Sequence, residues 1–296
     1  MIRKYYQLAK PGIIYGNVLT TVAGFLLASR GQVNFGLFLA TLLGISLVVA
    51  SACVFNNYLD RNIDARMERT KNRALVTGLV SKKNALIYGV VLGLLGFLIL
   101  SAYTNLLTVG LAALGFFVYV ALYTPLKHRS VHGPLVGSIA GATPPVVGYT
   151  AVTNGLDLGA IILFMILVAW QMPHFYAIAI YRLNDYTAAA LPVLPAKKGV
   201  YFTKINMLFY IFGFIIAALL LTVFGYTGSS YLAVALGLGL AWLGLGLKGL
   251  SAKTNDPSAF AKVSADKLWA RKMFFFSLVV IVSLCLTVSL DAILKK

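Results

Sequence analysis

A stripe of oxygen-bearing side chains follows a long apolar stretch near the N-terminus. Asn56, Asp60 and Asp64 are spaced four residues apart, so on a continuous helix each is rotated by only about 40° from the one before it. Neighbouring carboxylates repel each other unless a cation lies close by, and Mg²⁺ takes a few carboxylates together with water and substrate phosphate. The spacing predicts a magnesium site. The simpler interpretation, that these acids pair with Arg61 or Arg66, stays open.

Basic residues crowd the segment directly after this stripe. A diphosphate bridged by Mg²⁺ needs cationic donors for its remaining oxygens, and arginine offers two parallel N–H groups for them. Taken one at a time, each of these residues also fits an ordinary basic loop. We expect the following residues to bind diphosphate: Arg61, Arg66, Arg69, Lys71, Arg73 and Arg182.

A second group of polar residues runs through and beyond another apolar stretch. Tyr181 and Asp185 follow His174 by seven and eleven residues. On an undistorted helix both would fall within about 20° of His174, which would lie about 16 Å deeper than Asp185. An ionisable residue inside a membrane span is by default a functional hypothesis. We therefore expect His174 in a pocket below the acids; the alternative is a neutral imidazole bonded to a neighbouring helix.

The composition predicts the elements that position these groups. Of the 296 residues, 60% are hydrophobic and 11% are charged, and the mean hydropathy is +0.87, which suits lipid rather than water as the surrounding solvent. Stretches of about 18–24 apolar residues cross a bilayer as helices. They predict an all-α polytopic membrane protein, one domain over 1–296, with about nine spans: 11–29, 35–58, 84–103, 105–122, 134–152, 158–180, 205–225, 229–248 and 273–292.

The distribution of basic residues predicts the orientation of these spans. With nine spans, 22 of the 25 Lys and Arg residues fall on one side, and only Arg30, Lys295 and Lys296 fall on the other. By the positive-inside rule the N-terminus is cytoplasmic and the C-terminus is outside. The active site would then lie at the cytoplasmic side of the cytoplasmic membrane. The net charge of +17 is thus a topology signal and not a nucleic-acid footprint.

Three further features carry weaker predictions. Pro144, Pro145 and Pro173 fall inside predicted spans, where we expect them to break the helical hydrogen bonding locally. His128 and His132 lie in a short connecting segment and are predicted to be surface residues. The N-terminal residues have no short apolar core followed by a cleavage site, so we read them as mature sequence.

Several motifs resemble those of the intramembrane polyprenyl–aromatic prenyltransferase superfamily, and in particular its haem-directed branch. Asn56, Asp60 and Asp64 match the first aspartate motif of the superfamily, and residues 181–185 match the second. The Trp-Gln-Met-Pro-His and Leu-Pro-Val-Leu-Pro sequences are the most specific to the branch. The matching stretches are 9–12, 54–64, 68–73, 123–127, 170–174 and 191–195.

The resemblance implies an activity and its participants. A farnesyl group would pass from farnesyl diphosphate to a vinyl group of haem b, with addition of water, giving haem O. Mg²⁺ would be the cofactor, and haem A synthase or a haem-copper oxidase would be possible protein partners. The implied metal ligands are Asn56, Asp60, Asp64 and Asp185, the catalytic residues Asp60, Asp64, Asp185 and His174, and the substrate-pocket residues Asn57, Tyr123, Lys127, Trp170 and Tyr181.

Alternatives remain at this stage. Tyr181 stands where many superfamily members carry an aspartate, so one or two Mg²⁺ ions fit the pattern. The acceptor could instead be a quinone precursor or a chlorin. A transporter would place its acids near the bilayer midplane, whereas these acids are predicted at the membrane edge. A haem-binding subunit without catalysis would need no acid-rich site.

Overall fold

The fold is helical throughout the part of the chain that the structure describes. This computed structural model describes residues 2–251 and 259–294, with the side chains of all of these except 251 and 259–263. The elements, in chain order, are α1 (Ile2–Leu8), α2 (Pro11–Ser29), α3 (Phe35–Asp64), α4 (Lys82–Tyr103), α5 (Leu106–Phe117), a π-helical segment (Val118–Tyr123), α6 (Thr124–Leu126), α7 (Gly133–Thr153), α8 (Leu158–Tyr181), α9 (Leu183–Ala188), α10 (Leu194–Lys198), α11 (Val200–Val223), α12 (Ser229–Ser251) and α13 (Ala259–Leu294).

Nine helices among the described residues are long and apolar enough to cross a membrane. Large apolar side chains such as Leu98, Phe209 and Leu290 remain more than half exposed on their outer surfaces, as lipid-facing residues do. Each helix overlaps one predicted span, so the predicted fold class is confirmed. The nine are Pro11–Ser29, Phe35–Asp64, Lys82–Tyr103, Leu106–Leu126, Gly133–Thr153, Leu158–Tyr181, Val200–Val223, Ser229–Leu250 and Ser264–Leu294.

Polar contacts tie the connecting segments together at each end of the bundle. At one end Lys127, after α6, forms an ion pair with Asp60 of α3. At the other end Asn105, before α5, donates to the carbonyl of Thr150 in α7 at 2.7 Å. These contacts agree with the prediction that successive connecting segments lie at opposite ends of the bundle. Which end faces the cytoplasm stays a prediction. Three basic residues of that charge count lie outside the described residues: Lys253, Lys295 and Lys296.

The prolines interrupt the helical hydrogen bonding locally, as predicted, but they do not end their helices. α7 continues through Pro144 and Pro145, and α8 continues through Pro173. Pro144 has no N–H for the carbonyl four residues earlier, but the Thr143 hydroxyl donates to that carbonyl, Ala140 O, at 2.8 Å. A local side-chain donor therefore replaces one lost backbone bond, and the helix stays continuous.

Close contact between α2 and α7 brings the first helix of the bundle against its centre. A Cβ atom on Gly24 would lie 2.0 Å from the Pro145 carbonyl oxygen, and one on Gly148 would lie 2.2 Å from the Thr21 carbonyl oxygen. Only glycine permits backbones to approach this closely, a common device where membrane helices meet. The residues just before α2, at its polar end, are thereby held beside the end of α3.

Candidate active site

The oxygen stripe (Asn56, Asp60 and Asp64) lies on the last turns of α3, which stays helical to Asp64. All three residues are buried, with only 1%, 4% and 5% of their surfaces exposed. Carboxylates and amides removed from water must be paired or hydrogen-bonded. Burial of this stripe therefore requires cationic partners from other segments.

Each residue of the oxygen stripe has such a partner. Lys127 Nζ and Asp60 Oδ2 form an ion pair, and His128 Nε2 lies 3.0 Å from the other oxygen of Asp60. Arg73 donates to Asp64 Oδ2 at 2.5 Å. For the third residue, Asn56, the partner is Lys10, whose ammonium donates to Asn56 Oδ1.

The π-helical segment sets the orientation of the Asn56 amide. The wide turn ends at Thr124, whose hydroxyl donates to the Tyr119 carbonyl at 2.8 Å. Its oxygen is then free to accept from Asn56 Nδ2 at 2.9 Å. The amide nitrogen is thus directed to Thr124, and the amide oxygen faces Lys10. This assignment follows from the hydrogen-bond network.

Lys10 occupies a strained position at the junction of α1 and α2. Its backbone is left-handed, with φ 55° and ψ 68°, which costs a non-glycine residue about 1–3 kcal/mol. The Asn57 amide holds the preceding segment by donating to the Leu8 carbonyl at 2.7 Å. Burial lowers the pKa of Lys10 to about 8, with the neighbouring cations Arg73 and Lys127 acting in the same direction. Such strain is common at functional sites.

The segment after α3 folds back over the stripe. Thr70 donates to the Asp64 carbonyl at 2.8 Å, and Arg73 contacts both Asp64 and the side-chain oxygen of Asn57, the latter at 3.0 Å. Arg73 is therefore positioned by two acceptors. It is the predicted diphosphate-binding residue that the structure brings directly to the stripe.

The other predicted diphosphate-binding residues lie farther from the stripe oxygens. Arg61 donates to the Tyr58 carbonyl at 2.6 Å and lies over the Tyr58 ring. Lys71 pairs with Glu68 at 2.7 Å. Arg66 and Arg69 are exposed, so their side chains are accessible to an anion in solution.

The second motif departs from the predicted alignment. α8 ends at Tyr181, and Asp185 belongs to the separate helix α9. Because α8 ends before Asp185, the undistorted helix assumed in the prediction does not reach Asp185, and the predicted alignment of Asp185 above His174 is wrong. Asp185 instead lies 3.8 Å from Arg182. The next residue, Tyr186, is half-buried, and its partial removal from water raises its pKa. It interacts electrostatically with Tyr123, Arg69 and Lys127, so α9 lies near the mouth of the site.

The oxygen stripe has the donor types of a hard-cation site, but each donor is already occupied by a cationic group. Among the described residues, no three histidine, cysteine or acidic side chains converge as a ready metal site. The oxygen stripe nevertheless provides one amide and two carboxylate donors, and every one of them already faces a cationic group. Oxygen donors of this kind are the ligands that Mg²⁺ accepts. The stripe therefore fits Mg²⁺, and a metal would have to displace the resident cationic groups.

A cavity of about 390 Å³ lies inside the bundle. Its wall is mostly apolar and is formed by α2, α3, α5 with the π-helical segment, α7, α8 and α13. Cys53, one helical turn before Asn56, is part of that wall. The cavity thus lies next to the oxygen stripe, with a volume within the range of small-molecule pockets.

His174 lines this cavity and is oriented by α13. Its Nδ1 lies 2.8 Å from the Ser277 hydroxyl, and that hydroxyl donates to the Phe274 carbonyl at 2.6 Å. The serine oxygen must then accept from Nδ1–H, which leaves Nε2 with an unshared electron pair. Trp170 stacks on the imidazole, with ring centres 4.9 Å apart, and donates to the Ser277 carbonyl at 2.8 Å. The two alternatives considered for His174 are both true: its imidazole is hydrogen-bonded to a neighbouring helix, and it also faces the cavity.

The predicted substrate-pocket residues divide into two groups. Trp170 and Tyr123 line the cavity, whereas Asn57, Lys127 and Tyr181 are not part of its wall. Asn57 and Lys127 belong to the network around the oxygen stripe. Tyr181 lies under the Arg182 guanidinium, 4.6 Å from its ring centre.

Two residues of the site were missed from the sequence. His128 was predicted as a surface residue, but it is half-buried and contacts Asp60; that prediction is wrong, while His132 is exposed as expected. Lys10 was assigned only a topological role. The available signal was position: Lys10 directly precedes Pro11, and His128 follows Pro125 by three residues, both at the same end as the stripe.

Comparison with known proteins gives the family. The model of the UbiA prenyltransferase family matches residues 17–287, and the chain belongs to this family. Relatives named protoheme IX farnesyltransferase are 53% identical in Sodalis glossinidius, covering 98% of this chain and 95% of the relative. In Protochlamydia amoebophila the identity is 54%, with 99% and 100% covered. The resemblance deduced from the motifs is confirmed.

Solved structures agree on the fold. A digeranylgeranylglyceryl phosphate synthase is similar with a TM-score of 0.79 at 18% identity, over 99% of this chain and 98% of that one. A UbiA homologue from Archaeoglobus fulgidus, bound to GPP and Mg²⁺, has a TM-score of 0.69 at 16% identity, over 94% and 99%. At these identities the likeness supports the fold alone.

Proposed function

We propose that the chain transfers a farnesyl group from farnesyl diphosphate to a vinyl group of haem b, with addition of water, to give haem O. The carrying observation is the buried oxygen stripe, ringed by cations, directly beside a large apolar cavity. Such a site receives a diphosphate head and an apolar chain together. The names of relatives at 53% and 54% identity supply the acceptor.

The bond changes balance without a redox partner. The C–O bond between farnesyl and diphosphate breaks, and its electron pair leaves with the diphosphate. The vinyl electrons form a C–C bond to the farnesyl carbon, and the cation left beside the porphyrin ring takes the oxygen of water. That water releases one proton, so haem b, farnesyl diphosphate and water give haem O and pyrophosphate.

The oxygen stripe would hold the metal. Asn56, Asp60 and Asp64 are the proposed Mg²⁺ ligands, and Asp185 joins them if α9 closes toward the stripe. When bound, Mg²⁺ neutralises the charge that develops on the departing diphosphate. A UbiA homologue of the same fold from Archaeoglobus fulgidus is bound to GPP and Mg²⁺, which supports Mg²⁺ as the metal, whereas the choice of ligands depends on the oxygen donors of the stripe.

The residues around the stripe would bind the leaving group. Arg73 and Lys127 are already at the stripe, and exposed Arg66 and Arg69 provide further cationic donors at the mouth. Arginine forms paired hydrogen bonds with phosphate oxygens. Binding the diphosphate here directs its apolar chain toward the cavity wall at Cys53.

The cavity would protect the reactive carbon. An allylic cation is quenched by stray water, and apolar walls exclude it. Water needed for the last step must enter late or be held by a polar group. His174, with Nε2 unprotonated, can accept the proton of that water or hold the haem, and Trp170 fixes its ring.

Replacement of His174 by alanine tests this placement. We expect the purified protein to retain less haem, because the one imidazole on the cavity wall is lost, and turnover to fall by about 10²-fold, the lower range for a positioned acid–base group. The haem absorption spectrum and a product assay measure the two effects. An unchanged spectrum together with unchanged activity would remove His174 from the site.

The orientation is proposed from charge. The end bearing the oxygen stripe and most basic residues would face the cytoplasm of the cell, with the N-terminus on that side and the C-terminus outside. Haem A synthase or a haem-copper oxidase would receive the product. Labelling of single cysteines introduced at each end, in intact cells and in inverted vesicles, measures this orientation.

A product assay tests the function as a whole. Membranes containing the chain are incubated with farnesyl diphosphate, Mg²⁺ and one acceptor at a time, and products are weighed by mass spectrometry. We expect a hydroxyethylfarnesyl haem and pyrophosphate with haem b only. A prenylated quinone precursor or chlorin would contradict the acceptor. Haem binding with no pyrophosphate release would contradict catalysis.

A further inference from the structure

The oxygen stripe is held by three cationic groups from three different segments. Lys10 comes from the junction of α1 and α2, Arg73 from the segment after α3, and Lys127 from the segment after α6. Each donates to a different residue of the stripe. We name Lys10, Arg73 and Lys127 the resident cations.

The resident cations take lone pairs that a metal would need. Lys10 faces Asn56 Oδ1, the only amide atom there able to coordinate a metal, since the other atom of the amide is directed to Thr124. An ammonium or guanidinium that is hydrogen-bonded to such an oxygen also repels a divalent cation. A metal arriving alone must therefore break three charge-assisted bonds, each able to shift an equilibrium by about tenfold or more.

Diphosphate changes this balance. It carries oxygens that accept from Lys and Arg in place of the stripe. A lysine ammonium is carried on a stem of four carbons with rotatable bonds, whereas the backbone two residues before Lys10 is held by the hydrogen bond from Asn57 to the Leu8 carbonyl. Two residues after Lys10, Gly12 lines the cavity that would hold the apolar chain. The ammonium can thus turn from Asn56 toward a diphosphate without movement of the helix.

Resting on the proposed function, we propose that the resident cations exchange partners when substrate binds. They occupy the oxygen stripe in the free protein and transfer to diphosphate oxygens when metal and diphosphate arrive together. Metal and diphosphate then strengthen each other's binding, since each relieves the charges that oppose the other. Lys10 is a positioning residue for the metal and a binding residue for the diphosphate.

Metal binding measured by itself tests this exchange. Mn²⁺, which accepts similar oxygen ligands and is visible by electron paramagnetic resonance, is titrated into the full chain in detergent, with and without inorganic pyrophosphate. For the unaltered chain we expect weak binding that pyrophosphate tightens by at least about tenfold. For Lys10→Met we expect Mn²⁺ alone to bind about tenfold more tightly, and pyrophosphate to tighten it less.

A matched variant separates partner exchange from loss of charge. Arg129, two residues after Lys127, is an exposed cation at the same end of the bundle, and its side chain donates to none of the stripe oxygens. Because Arg129→Met removes the same charge without releasing a stripe oxygen, Mn²⁺ alone should bind nearly as weakly as to the unaltered chain. Lys10→Arg should retain the coupling. If Lys10→Met does not fold, Lys127→Met tests the same exchange at Asp60.

The outcomes are distinct from those of the proposed function. Equal Mn²⁺ affinity with and without pyrophosphate in the unaltered chain, or equal tightening by Arg129→Met and Lys10→Met, overturns the exchange while leaving farnesyl transfer intact. Failure of Mn²⁺ and pyrophosphate to bind at all overturns the proposed metal–diphosphate site itself, and with it the exchange.

Discussion

Two buried ion-pair clusters lie at the same end of the bundle, and their construction differs. The stripe cluster consists of Asn56, Asp60 and Asp64 with Lys10, Arg73, Lys127 and His128. The Lys204 cluster consists of Lys204, Gly249, Asp266 and Trp269. Both remove charge from water, so burial and pairing alone do not identify a site.

The Lys204 cluster is closed on itself. The Lys204 ammonium donates to Asp266 and, at 2.8 Å, to the Gly249 carbonyl, and it lies 4.8 Å from the Trp269 ring centre. A Cβ atom on Gly249 would lie 2.2 Å from that ring. The cluster joins α11, α12 and α13, and none of its residues lines the described cavity.

The stripe cluster is open by comparison. Its acceptors come from one helix, its cations come from three connecting segments, and the cavity begins one helical turn away at Cys53. Connecting segments move more easily than packed helices. A functional site is therefore marked here by replaceable partners and adjoining space, whereas a structural pair has neither.

Asp60→Asn should have the largest effect on turnover. The amide keeps the shape but lowers the charge offered to the metal, so we expect a loss of about 10²–10³-fold in kcat. Thermal unfolding in detergent should change little, because the amide oxygen can still accept from Lys127 and the amide nitrogen can donate to His128 Nε2 when that nitrogen is unprotonated. Asp266→Asn is the matched control, with turnover per folded molecule close to that of the unaltered chain. Equal losses of turnover in both variants would erase the distinction between the clusters.

The sequence was sufficient for the parts that follow one physical rule. Bilayer thickness sets the length of every span, and a spacing of four residues brings Asn56, Asp60 and Asp64 onto one helical face because α3 continues to Asp64. The same rule failed for Asp185 because α8 ends at Tyr181. No proline or glycine near Tyr181 indicates that end in the sequence.

Long-range contacts account for the rest. Lys10 contacts Asn56 because its own backbone adopts a left-handed conformation at the junction of two helices. Helical periodicity carries no information on such a junction. The pairing of Lys204 with Asp266 joins residues 62 apart in the chain. Their partners depend on which helices pack together, which hydropathy does not specify.

Stability should respond most to the Lys204 cluster. Lys204→Met alone would leave Asp266 as a partly buried charge without its partner, a change that costs about 3–5 kcal/mol in buried pairs. Replacing both, as Lys204→Met with Asp266→Leu, should recover most of that loss, since an apolar pair of similar volume is often neutral. Reversible unfolding in mixed detergent measures the difference. A double variant as unstable as the single one would show that the pair is indispensable to the fold.

His128→Ala should weaken the stripe cluster moderately. Asp60 keeps Lys127 but loses the partner of its second oxygen, and loss of such an outer partner typically lowers metal affinity by about 10–100-fold. Mn²⁺ titration in the presence of pyrophosphate measures this affinity. His128→Gln, which can still donate to Asp60, should retain most of it. A similar loss in the exposed control His132→Ala would deny His128 a specific role.

Thr124→Val should have the smallest effect. It removes the acceptor that directs the Asn56 amide nitrogen, leaving the amide free to rotate its oxygen away from Lys10. A single neutral hydrogen bond contributes about 1 kcal/mol, so turnover at limiting Mg²⁺ should fall by about fivefold, and less at saturating Mg²⁺. Thr108→Val deletes a comparable buried hydroxyl bonded to Thr150 at 3.1 Å, at the other end of the bundle. Thr108→Val should lower the unfolding temperature without changing the Mg²⁺ dependence of turnover, because no proposed metal ligand is bonded to Thr108. If both Thr108→Val and Thr124→Val shift the Mg²⁺ dependence, general loosening of the bundle, rather than the orientation of Asn56, controls the stripe.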